Sequence, residues 1–128
     1  CLIEGCVCNH DNLEQLHKVR RRTRVLVSFG DCAVTGNVSA IRNQLGPKNA
    51  EDVLQCAYID NAQHNARLPK ADGIVPKLLE HVRPLHEVVP IEAYLPGCPP
   101  SAARIKALLE RVLAGLPLQF EGADLKFG

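Results

Sequence analysis

The sequence predicts an open parallel α/β sheet with helices on its faces, and three features carry that expectation. Val25-Leu26-Val27-Ser28-Phe29 is a short, largely apolar run halted by Gly30, the pattern of a buried parallel strand. Gly30 and Gly36 bracket the segment that follows and let the backbone turn sharply toward a helix. Pro99-Pro100-Ser101 opens a second helix, whose apolar positions recur at helical spacing. Strand, turn and helix in repeated alternation build a doubly wound layer.

The elements follow in order along the chain. Leu2-Ile3 reads as the end of a strand. Asn9 or Asp11 caps a helix from about Asn12 to Arg21, with Leu13, Leu16 and Val19 on one face. Val25 to Phe29 is the next strand. A short helix is expected from Ala40 to Gln44, stopping before Gly46-Pro47, and an amphipathic helical stretch from Glu51 to Tyr58. The polar stretch to Asp72 reads as an exposed excursion. Val75 to Pro84 is either a helical turn or an extended arm, and Val88 to Tyr94 is strand-like. The last helix runs to about Ala114 and stops at Gly115, with Ile105, Leu108, Leu109, Val112 and Leu113 expected to face the core.

A length of 128 residues suits one domain, 1–128, with a core of its own. Fifteen Lys and Arg against fourteen Asp and Glu leave almost no net charge, which gives nucleic acid no electrostatic footprint to meet. The one basic run, Lys18 to Arg24, falls at a helix end, where cations suit the unsatisfied carbonyls. No apolar run approaches the length of a membrane span. Six cysteines at irregular spacing, without a secretory leader, point to a reducing compartment, and the expected location is the cytoplasm.

Two of those cysteines stand in stiff surroundings. Cys98 lies in Leu95-Pro96-Gly97-Cys98-Pro99-Pro100, where each proline fixes its own φ and restricts the residue before it. Cys32 lies in Phe29-Gly30-Asp31-Cys32-Ala33, just past the carboxyl end of a strand, where open α/β sheets bind ligands. A rigid thiolate is what an iron–sulfur cluster asks of its protein ligand. The alternative for each is a packing cysteine, since a free thiol behaves as a small hydrophobe.

Phe29-Gly30-Asp31-Cys32-Ala33-Val34-Thr35-Gly36-Asn37, with Ala40-Ile41-Arg42-Asn43, resembles the middle segment of the small subunit of NiFe hydrogenases, in particular the soluble, NAD-reducing, bidirectional type. Leu2-Ile3-Glu4-Gly5, Leu85-His86-Glu87-Val88-Val89-Pro90 and Tyr94-Leu95-Pro96-Gly97-Cys98-Pro99-Pro100 continue the resemblance from Leu2 to about Leu116. The same module is shared with the 20 kDa-type subunit of respiratory NADH:quinone oxidoreductase. The resemblance implies a flavodoxin-like open parallel sheet with flanking helices. It implies Cys32 and Cys98 as two of four thiolate ligands of a proximal 4Fe–4S cluster. The family's other two ligands lie in a Cys-x-x-Cys loop that this chain lacks, so an amino-terminally shortened module is expected.

Cys6 and Cys8 offer a substitute: Cys6 falls at a strand end, and a Cys-x-Cys spacing in an extended segment points both thiols the same way. Incidental loop cysteines are the other reading. Cys1 is terminal, and Cys56 reads as a packing residue. Glu4 at the strand end is a candidate proton-handling acid or a plain solvated one. His86 resembles the family's histidine near the cluster, a donor to its sulfur, or is a satisfied core histidine. Arg42 either reaches a partner carboxylate or nucleotide-like group, or is a solvated charge.

The function implied is an electron-transfer subunit of an NAD-linked hydrogenase, not catalytic alone. Its cluster would pass electrons between a NiFe large subunit and diaphorase-type flavin/iron–sulfur subunits, with FMN as a further cofactor of the complex. Two alternatives stand beside it. One is the corresponding subunit of a quinone-reducing NADH dehydrogenase, and the other is a cofactor-free scaffold domain that has lost the cluster.

Overall fold

A computed structural model describes residues 1–44, 50–120 and 122–125. Its centre is a three-stranded sheet of β1 (Leu2–Glu4), β3 (Val27–Phe29) and β5 (Ala93–Leu95), in the order β1-β3-β5. Both pairings are parallel, and the register places Glu4 beside Phe29 and Phe29 beside Leu95. The apolar run ending at Gly30 is thus the middle strand, as its burial on both faces requires.

Alternation along β3 divides the core into two layers. Leu26 faces one side, where Leu16, with Leu13 and Val19 packed around it, brings in α1 (His10–Arg22) together with Val7, Leu85 and Val89. Val27 faces the other, joining Ala93 and Leu95 to Leu108 of α4 (Ala102–Leu113). Helices therefore cover both faces of a parallel sheet. The caps are those the sequence supplies: the Asn9 side chain accepts from the Asn12 N–H at 2.8 Å, and the Ser101 hydroxyl accepts from the Arg104 N–H at 3.4 Å.

One element settles an alternative that the sequence left open, and two depart from its expectation. Val75 to Pro84 takes the extended alternative: β4 (Leu78–Arg83) pairs antiparallel with β2 (Val7–Asn9), outside the parallel sheet. The segment after Gly30 is helical twice over, as α2 (Asp31–Thr35) and then a 3₁₀ stretch Asn37–Gln44, and the expected stop at Gly46-Pro47 lies outside the described residues. The strand-like segment 88–94 contributes only its end to β5 and is preceded by a 3₁₀ turn, Leu85–Glu87.

On α4 the core face is narrower than expected. Leu108 is buried and Ile105 packs beside it, but Leu109, Val112 and Leu113 are exposed, Leu113 by 87%. Strands of three residues span about 10 Å, against about 18 Å for a twelve-residue helix, so the sheet cannot cover the last turns. The stretch Glu51 to Tyr58 begins as α3 (Ala50–Gln55) and ends in a π turn, Cys56–Asp60. No helix among the described residues is long and apolar enough to cross a membrane.

Candidate metal centre at the strand ends

Each strand of the parallel sheet ends in the same way: a glycine of positive φ, then a cysteine. Gly5 (φ 86°) precedes Cys6 after β1, Gly30 (φ 82°) precedes Asp31-Cys32 after β3, and Gly97 (φ 135°) precedes Cys98 after β5. The strands are adjacent and in register, so the three cysteines emerge along one edge of the sheet, the edge where such folds hold ligands. At Gly97 the requirement is steric as well as conformational. A Cβ there would stand 2.6 Å from Pro100 Cα, because the proline loop folds back over it.

The Cys32 and Cys98 loops are stitched together by the residues beside the cysteines. The Gly30 N–H donates to the Leu95 carbonyl at 2.8 Å, and the Asp31 N–H donates to the Gly97 carbonyl at 3.1 Å. In return the Gly97 N–H donates to the buried Asp31 carboxylate. Cys32 then lies in the first turn of α2, where its carbonyl accepts from the Gly36 N–H at 2.9 Å, and the Thr35 hydroxyl donates back to the Asp31 carbonyl at 2.9 Å. Cys32 is thereby held on a one-turn helix, the turn toward a helix that the flanking glycines allow.

Cys32 senses both Cys6 and Cys98. Desolvation raises the pKa of the Cys32 thiol above its ordinary value, and Cys6, Cys98, Asp31 and Glu4 add to the rise, since each disfavours a second negative charge nearby. Cys8 joins through Cys6. Burial raises its pKa first, the neighbouring Cys6 thiol adds to it, and Arg42 acts in the opposite direction. The Cys8 thiol also donates to Asn12 Oδ1 at 3.1 Å. Cys6 and Cys8 flank the buried Val7, and both are half-buried.

The donor set is soft sulfur, which selects iron–sulfur clusters, zinc or copper(I) over hard cations. Among the described residues no three His, Cys, Asp or Glu side chains form a group that would hold a single metal ion. Thiols strung along an edge instead suit a polynuclear centre, in which each thiolate bonds a different iron. Soft thiols at neighbouring strand ends are the donor type that such a group takes.

The other candidates divide. Glu4 reaches the crevice: its Cγ lies 4.0 Å from where a Gly30 Cβ would stand, and its charge is felt at Cys32. Cys6 and Glu4 also border an open cleft of about 220 Å³ between β1 and α1. His86 is exposed, its ring edge-on to Tyr94 at 5.8 Å. Arg42 is spent on the scaffold, donating to the carbonyls of Cys8 at 3.1 Å and Leu79 at 2.8 Å. Cys1 and Cys56 are exposed, Cys56 on the π turn, where its thiol accepts from Asn61 Nδ2. Sequence reading passed over Asp31. An acid beside a thiol was visible, but its partner lies 66 positions away and only folding brings it there.

With this arrangement in view, the chain matches, over residues 1–112, the family described as NADH ubiquinone oxidoreductase, 20 Kd subunit. It is 36% identical over 121 residues to the NAD-reducing hydrogenase HoxS subunit delta of Cupriavidus necator, which covers 90% of this chain and 55% of that protein. It is 32% identical over 129 residues to one subunit of the F420-non-reducing hydrogenase of Methanothermobacter thermautotrophicus, covering 97% of this chain and 40% of that one. The fold matches a chain of an NAD+-reducing [NiFe]-hydrogenase crystallised in its H2-reduced state, with a TM-score of 0.87, 40% identity, and coverage of 98% of this chain and 70% of that chain. The chain thus spans about half the length of the curated relatives it matches. Its parallel sheet, its glycine–cysteine strand ends and these matches together place it in the NADH ubiquinone oxidoreductase 20 kDa subunit family.

Proposed function

We propose that this chain, as a single domain over residues 1–128, is an electron-transfer subunit of a NiFe hydrogenase-type, NAD-linked oxidoreductase. Cys32 and Cys98 serve as thiolate ligands of a 4Fe–4S cluster. The observation that carries the reading is the emergence of Cys6, Cys32 and Cys98 along one edge of three adjacent parallel strands. Relatives that are named hydrogenase subunits support it.

The cluster, when bound, accepts and releases one electron at a time. Everything else falls to the chain. The Pro96 to Pro100 loop and α2 hold Cys98 and Cys32 so that little conformational freedom is lost on ligation. Burial and the neighbouring thiols and acids raise the pKa of Cys32, so its thiolate would call for a cationic partner such as the iron of a cluster. Cys6, with Cys8 behind it, adds sulfur from the β1 end. Glu4 is the acid at the mouth of the crevice, His86 stands by β5 through Tyr94, and Arg42 holds the Cys8 backbone. Catalysis of hydrogen chemistry is left to a partner: a NiFe large subunit on one side and diaphorase-type flavin/iron–sulfur subunits, with FMN, on the other. The chain works in the cytoplasm, without nucleic acid.

A second reading rests on the family's own description: the same module as the cluster subunit of a quinone-reducing NADH dehydrogenase. Nickel in a co-purifying large subunit separates the two. The test of the cluster itself is iron and acid-labile sulfide in protein purified anaerobically with its natural partners. Iron–sulfur absorbance that Cys98→Ser abolishes and Cys56→Ser leaves intact is the expected result. Iron-free protein, or a Cys98→Ser variant with unchanged absorbance, would overturn the reading in favour of a cofactor-free scaffold.

A further inference from the structure

Asp31 is buried, with 8% of its surface exposed, whereas the other carboxylates among the described residues lie largely at the surface. A buried carboxylate needs hydrogen-bond partners. Its neighbour is the backbone of the opposite cysteine loop, bonded in both directions: Gly97 N–H to Asp31 carboxylate, and Asp31 N–H to Gly97 carbonyl at 3.1 Å. Asp31 and Gly97 each directly precede a cysteine. The pair is therefore a clasp one residue from each thiol.

We propose that Asp31 is a positioning residue whose carboxylate fastens the Cys98 loop to the Cys32 turn, fixing the distance between the two thiols and placing a negative charge beside them. The clasp crosses between β3 and β5 at the point where the sheet's own ladder ends, with Gly30 N–H to Leu95 O the last strand-type bond before it. Beyond that bond, Asp31 and Gly97 supply the hydrogen bonds between the two loops. The proline loop folds back over Gly97, where even a Cβ would stand 2.6 Å from Pro100 Cα. A Cys98 loop on one side and a helix start on the other thus meet through one backbone hydrogen bond, Asp31 N–H to Gly97 carbonyl, and one charge-assisted bond from the Gly97 N–H to the Asp31 carboxylate. The charge-assisted bond completes the clasp that holds the two sulfurs at their separation, and the carboxylate's field opposes any added electron, so Asp31 also lowers the potential of an iron–sulfur group held there.

This rests on Cys32 and Cys98 being cluster ligands, and the test separates the two ideas. Asp31→Asn keeps an acceptor oxygen for the Gly97 N–H and removes the charge, whereas Asp31→Ala removes both. Two readouts are taken on the protein in its natural assembly. One is hydrogen–deuterium exchange of the 95–98 backbone, and the other is iron content with a redox titration followed by electron paramagnetic resonance. In Asp31→Ala, exchange at Gly97 should rise about tenfold or more, while the β3 and α4 amides stay protected, and iron should fall. In Asp31→Asn, exchange and iron should be retained, while the reduction potential moves upward.

Unchanged Gly97 exchange in Asp31→Ala overturns the clasp. An Asn variant that loses iron as fully as Ala overturns the acceptor role, and one with wild-type potential overturns the role of the charge. Should Asp31→Ala fail to fold, the Asn variant decides by its exchange and potential. Should the wild-type assembly hold no iron, the cluster reading falls, and the exchange experiment alone judges the clasp.

Discussion

Arg20 and Glu92 join the first helix to the sheet across 72 positions of sequence. Arg20 Nη1 donates to Glu92 Oε1 at 3.0 Å and Oε2 at 2.8 Å, and to the Pro90 carbonyl at 2.8 Å. Its Nη2 closes the carbonyl of Thr23 at 2.6 Å, just past the end of α1. Glu92 Oε2 accepts in turn from the Leu26 N–H at 2.7 Å. One guanidinium and one carboxylate thus tie α1, β3 and the approach to β5, and so fix the frame from which the cysteine loops project.

Glu92 gives the fold an acid-sensitive component. Desolvation raises its pKa, but the Arg20 hydrogen bonds and charge and the Leu26 N–H outweigh it, and the net shift is downward from the ordinary 4.5. A depressed folded-state pKa contributes stability that is present above the unfolded value and lost as pH falls through the folded one. Glu92→Gln should therefore cost about 1 kcal/mol near neutral pH and flatten the loss of stability below about pH 4.5. The pair is partly solvated, which keeps the figure small. Urea unfolding of both proteins at pH 7 and pH 3.5 checks it, and parallel curves at the two pH values would contradict it.

Leu108 is the apolar anchor of α4, fully buried against Val27, Ala93 and Leu95, whereas Leu113 is almost bare. Leu108→Ala should destabilise by about 3 kcal/mol, from lost burial and the cavity left behind. Leu113→Ala should fall within about 0.5 kcal/mol of wild type. Equal losses in chemical denaturation would mean that α4 docks on a different face.

Gly97→Ala places a Cβ against Pro100 Cα and asks a non-glycine residue to hold a φ of 135°. A cost on the order of 2 kcal/mol or more is expected, centred on the Cys98 loop. Cys98 should then react faster with a bulky maleimide, while Cys56 reacts as before. An unaltered Cys98 rate would show the loop to be looser than its packing implies.

Arg42 and Asn43 clip β4 to the rest of the fold. Asn43 pairs with the Val82 backbone, accepting from its N–H at 2.8 Å and donating to its carbonyl at 2.9 Å, beside the Arg42 bonds to Cys8 and Leu79. Asn43→Ala should expose those two backbone groups and cost about 1–3 kcal/mol. Amide exchange should quicken first in 78–83, and a uniform change along the chain would argue against a local clip.

The glycine and proline signals served well because they are local. Gly30 halts β3, Ser101 caps α4, Gly115 follows its end in a left-handed turn, and Leu13, Leu16 and Val19 share the buried face of α1. The β2–β4 ladder was not legible. Leu78 to Arg83 has no clean alternation, and it is held by the side chains of Arg42 and Asn43 from elsewhere in the chain. The apolar positions late in α4 misled for a related reason: helical periodicity shows which residues share a face, not how much sheet lies beneath them.

At the site, the sequence by itself determined the identity of the thiols and the stiffness around two of them, since Gly and Pro act on their own backbone wherever they occur. Only the tertiary structure decided that Cys6 and Cys32 follow the ends of paired parallel strands, that Arg42 is committed to backbone carbonyls, and that Asp31 answers Gly97. Those relationships depend on the parallel register of three strands far apart in the chain. Register is set by how both faces of the sheet are buried at once, a property that no single segment carries.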